Sequence, residues 1–125
     1  MLFLTNLFGR SREVNRLEDA FRAAGVHPRL VPDAVVMATI NLLKGGDQRI
    51  DGEACGYAAD LLALCMLGTP AFTDARGPAD ATATEARLEA ALVIGDGLDA
   101  ELVLLAHHAA LIHPGILKAF EIGTS

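Results

Sequence analysis

Three segments of this chain, 33–44, 51–67 and 99–112, carry apolar residues around most of a helical circumference. In the first, Val35, Val36, Met37, Ile40, Leu42 and Leu43 cover far more than one stripe. A helix of that kind is normally covered on all sides. A chain of 125 residues buries roughly two-thirds of its unfolded surface, so it needs no disulfide or metal staple. It nevertheless has room to surround one such helix, not three. The surplus must meet another surface, and the commonest solution is a second copy across a two-fold axis.

The apolar residues are of helical type. Hydrophobic residues make up 52% of the chain and aromatics only 5%, so the core is built from Ala, Leu, Val and Ile. Strands would call for more Thr, Tyr, Phe and Trp. The expectation is an all-α fold, a compact bundle of five to six helices in a single domain over 1–125.

Start and stop signals divide that bundle. Leu2, Phe3, Leu4, Leu7 and Phe8 form an apolar leader over 1–9, closed by Gly9, and it should dock on the body or on a neighbour. Ser11 caps a first helix whose face is Val14, Leu17, Phe21 and Ala24, with Gly25 as its stop. The prolines of 26–32 make an extended connector. A second helix spans 33–44 and a third 51–67, ended by Gly68-Thr69-Pro70. Residues 71–83 read as a surface loop, rich in Gly, Pro, Asp and Thr. Thr82 and Glu85 have capping-box spacing for a fourth helix to Ile94, before Gly95. The fifth covers 99–112, and Pro114 opens a short last helix through Phe120, with His113 as its cap.

Ile50-Asp51-Gly52-Glu53 and Leu98-Asp99-Ala100-Glu101 each follow a Gly-Asp pair and each open an apolar segment, 48 residues apart. They suggest two pseudo-repeated helical hairpins entered through the same kind of turn. Over Gly46–Glu53 and Gly95–Glu101 the turns resemble those of tellurite-resistance (TerB-like) helical domains. That resemblance implies metal candidates in Asp47, Asp51, Asp96 and Asp99.

Charge narrows the partners. Residues 1–30 hold five arginines against three acids; the remainder holds five basic residues against thirteen acidic ones. A nucleic-acid partner is disfavoured for so acidic a body. The leader lacks a basic flank and a small-residue cleavage site, and no apolar run is long enough to cross a bilayer. Cys55 and Cys65, on one helix, lie ~15 Å apart along its axis, beyond disulfide reach. They read as buried thiols of a cytoplasmic protein.

One polar constellation remains. Glu53 and Asp60 are seven apart on helix three, as are Glu101 and His108 on helix five, so each pair shares a direction on its helix. If those lines face one another, an acidic/His cluster between helices three and five could hold a divalent metal or small ligand. His107 and His108 diverge by ~100° and cannot serve one site together. The favoured reading is a non-enzymatic homo-oligomeric interaction module. The alternative is a metal- or ligand-binding helical protein, an enzyme included, using Glu53, Asp60, Glu101 and His108.

Overall fold

The computed structural model describes residues 2–45 and 51–122, with side chains described from residue 12 onward. Among these residues the chain is all-helical, with no strand. Seven α-helices follow in order: α1 (Leu2–Ala23), α2 (Asp33–Lys44), α3 (Gly52–Leu67), α4 (Thr69–Arg76), α5 (Pro78–Ile94), α6 (Leu98–His108) and α7 (Pro114–Ala119). A 3-10 turn at Pro28–Leu30 links α1 to α2.

Helix α3 forms the axis. It touches α1, α2, α4, α5 and α6. Cys55, Ala58, Ala59 and every residue from Leu61 to Cys65 are buried. A helix apolar all round demands this position, and small Ala and Cys side chains let neighbours approach closely. Asp51 starts it, its carboxylate accepting the Ala54 N–H at 2.8 Å; Gly68, at φ 87°, stops it.

Contacts at the helix ends give the directions. The Cys55 thiol lies within the field of Glu13 and Arg16. At the other end, a Cβ on Gly25 would lie 3.4 Å from Leu67. Helix α1 therefore runs parallel to α3. The last residue of α2, Lys44, pairs with Glu13 at 3.0 Å, so α2 returns antiparallel. Helix α6 runs parallel to α3, since Asp99 sits beside Tyr57 and the His113 N–H reaches the Cys65 carbonyl at 2.7 Å. Leu17, Phe21, Ile40, Leu88, Leu102 and Ile116 pack into the same core.

Several expectations need correction. Helix α1 begins at Leu2 and passes through Gly9 and Ser11 without a break. One interior glycine costs a helix only about 1 kcal/mol, too little to end it. The expected loop over 71–83 is helical: α4 and α5 meet at Gly77, whose φ of 94° makes the break. Pro70 and Pro78 each stand in the first turn of a helix, where the missing N–H is harmless. The described chain thus has seven α-helices, not five or six. Helix α6 ends at His108, short of the expected Ile112, and Ala110 turns the chain with φ 57°. The two turns of the repeat also differ. Asp51 caps α3 through its side chain, whereas α6 is entered through Gly97 with no side-chain cap. Gly46, Asp47 and Ile50 lie outside the described residues.

Candidate functional site

The four residues expected to converge do not form a shared site. Asp60 faces α4, where Arg76 Nη2 donates to its Oδ2 at 3.3 Å and Arg76 Nε lies 3.2 Å from its Oδ1. Arg76 also pairs with Asp80 at 3.3 Å. Glu53, Glu101 and His108 are exposed at the surface. Among the described residues no three His, Cys, Asp or Glu side chains are grouped to hold a metal ion. The reason is economical: a carboxylate on an otherwise buried helix is satisfied most directly by an arginine.

A second arginine does the same for Asp99. From α5, Arg87 grips that carboxylate with both arms of its guanidinium, Nη2 to Oδ1 at 2.8 Å and Nε to Oδ2 at 3.1 Å. Its Nη1 donates to the Tyr57 carbonyl at 2.9 Å, and its Cζ lies 3.4 Å from the centre of the Tyr57 ring. One side chain thus ties α3, α5 and α6 together. Asp99 is consumed by that clamp, Asp51 by its cap, and Asp96 is exposed. Asp47 lies outside the described residues.

The histidines at His-Pro steps are likewise structural. His113 Nδ1 accepts the Gly115 N–H at 2.9 Å, capping α7, and His27 Nδ1 accepts the Arg29 N–H at 3.1 Å at the 3-10 turn. In each ring that backbone N–H takes up the Nδ1 lone pair. Cys55 and Cys65 are free thiols. Burial pushes both up, Cys65 to about 12, so neither is poised as a nucleophile. Beside the 3-10 turn an open concavity of about 660 Å³ is edged by Glu18, Arg22, His27, Arg29 and Asp33. Both acidic and basic side chains edge it, and Arg22 is held by Asp19 at 3.0 Å.

The feature left unexplained by packing is apolar. Val93 is 81% exposed, Ile94 67%, Leu104 53% and Leu92 38%. Three of these follow one another at the end of α5, and Leu104 looks out from α6. Consecutive helical residues diverge by ~100°, so with Leu88 and Ala91 facing the core Val93 points away from it, while Leu92 and Ile94 fall on its two margins. Between the two helices runs a groove of about 220 Å³, lined by Leu92, Gly95, Val103, Leu104, His107 and Ile122. Leu92 joins it to a second hollow of about 330 Å³ bordered by Val93, Ala119 and Phe120. The surrounding charges are acidic: Glu89, Asp96 and Glu101 are all exposed.

Sequence reasoning placed surplus apolar surface on helices two, three and five. The structure covers α3 from within and puts most of the surplus at the end of α5. The signal was the uninterrupted run Leu92-Val93-Ile94 directly before a glycine. No family model, curated protein or solved structure matches this chain.

Proposed function

We propose that the protein is a non-enzymatic helical interaction module that works as a homo-oligomer, through the groove between α5 and α6. The observation that carries this reading is that exposed Leu92 and Leu104 line one apolar hollow, that Val93 borders the adjoining one, and that Ile94, next in the chain, is exposed as well. Weighted by their exposure, these four side chains would contribute roughly 5 kcal/mol of gross stabilisation on burial. Contiguous apolar surface with a polar rim is the usual mark of a protein-binding site. The chemistry-bearing groups support binding over catalysis. Asp60 and Asp99 are neutralised by arginines, and His27 and His113 cap turns. Two buried free thiols suit a reducing, cytoplasmic setting.

Sedimentation velocity across the micromolar range tests the reading. The full chain should show a concentration-dependent rise from monomer to dimer or larger species, and Val93→Glu should lower it at unchanged helicity. A single monomeric boundary at every concentration would overturn it.

A further inference from the structure

We propose that the occupant of the α5–α6 groove is the N-terminal segment of α1 from a second copy, docked head to tail. This rests on the oligomeric reading above and adds which surface meets which. The argument is one of charge and shape. Pairing two copies groove to groove would press Glu89, Asp96 and Glu101 of one against the same carboxylates of the other. Like charges brought together at an interface rim oppose binding. Residues 88–122 carry five carboxylates against one lysine and three histidines, and Asp99 is committed to an arginine clamp.

The opposite composition lies at the start of the chain. Residues 1–12 hold no acid, two arginines (Arg10 and Arg12) and the apolar set Leu2, Phe3, Leu4, Leu7 and Phe8. This stretch opens a helix of 22 residues. A basic amphipathic helix laid into an acid-rimmed apolar groove is a common mode of helix recognition. The groove supplies the apolar floor through Leu92, Val103 and Leu104, and Glu89 and Glu101 supply counter-charges for Arg10 and Arg12. Such a contact joins two different surfaces, so it either propagates into rings or chains or closes reciprocally, with each copy's leader in the other's groove.

Mixing experiments on the full chain separate this arrangement from others. One variant, Leu4→Glu with Phe8→Glu, damages the leader; another, Val93→Glu with Leu104→Glu, damages the groove at exposed positions. Arg10→Glu with Arg12→Glu is a second leader variant should the first lose helicity by circular dichroism. Each variant alone should associate at least about tenfold more weakly than the parent chain. A mixture of one leader variant with the groove variant should regain a dimer of one copy each and stop there, because one intact leader meets one intact groove. Added salt should weaken it several-fold. If the parent chain associates but the mixture stays monomeric, or if a leader variant assembles like the parent, this docking is wrong while the oligomeric reading survives. If the parent chain never associates, both fall.

Discussion

Replacing Arg87 by methionine removes one side chain on which three helices depend. Its guanidinium makes two charged hydrogen bonds to Asp99, donates a third to the Tyr57 carbonyl, and stacks on the Tyr57 ring. The Arg87 and Asp99 side chains are 17% and 21% exposed, so solvent screens the pair only partly. Exposed pairs contribute about 0–1 kcal/mol, and breaking a fully buried one costs about 3–5 kcal/mol. A half-buried bidentate pair with a stacked ring lies between, at about 2–3 kcal/mol. Thermal unfolding of a chain this size should then shift down by roughly 10 °C. Arg87→Lys should recover less than half of the loss, because an ammonium lacks the planar fork that meets both carboxylate oxygens. A double-mutant cycle with Asp99→Asn should show a coupling of about 1.5–2 kcal/mol. A lysine variant as stable as the parent, or a coupling near zero, would refute the clamp as the tie between α5 and α6.

Two backbone substitutions should act in opposite directions, read by urea unfolding. Gly25→Ala should cost about 3 kcal/mol, since a Cβ there would lie 2.6 Å from that of Ala75 on a backbone at φ +95°. Ala110→Gly should add about 1 kcal/mol, relieving a left-handed alanine at φ 57°. Phe72→Ala should cost about 3–5 kcal/mol, since the ring is fully buried and α4 is a packed helix. The raised Cys65 thiol makes stability fall in alkali. Between the unfolded thiol value near 8.5 and the folded one of about 12, only the unfolded chain releases that proton; the loss is about 1.4 kcal/mol per pH unit, and Cys65→Ala should lack it.

Much of the axis was legible in the residues. The bounds of α2 and α3 follow from dense apolar runs closed by Gly45 and Gly68, and both cysteines are buried as their spacing suggested. The cap at His113 was readable from the His-Pro step, because proline places the next N–H within reach of the imidazole. Residues 71–83 were misread because Pro70 and Pro78 were taken as loop markers. A proline one or two residues after a glycine is also a helix start, and local sequence does not choose between the two. The supposed metal ligands failed for a different reason. Asp60 and Asp99 need a cationic partner, and Arg76 and Arg87 stand 16 and 12 residues further along or back in the chain. Only the packing of α4 on α3 and of α5 on α6 brings them together. An arginine inside an Ala/Leu-rich helix, as at Arg87, was the clue available.

The division of apolar surface ties these points to the proposed assembly. Five helices cover α3, while α2 and α6 each pack against three neighbours and stay open on the remaining side. On α6, Leu102, Val103 and Ala106 face inward and Leu104 does not. On α5 the inward line is Ala81, Thr84, Leu88 and Ala91, small enough for close contact with α3 and α6. Leu92, at i+4 from Leu88, stands at the margin of that line, Val93 points away from it, and Gly95, at φ 77°, ends the helix directly after Ile94. Charged residues at 93 and 94 would therefore remove little that the protomer buries. Folding stability should be nearly indifferent to these two positions and association steeply dependent on them. That contrast separates a docking surface from a loosely packed corner of the core.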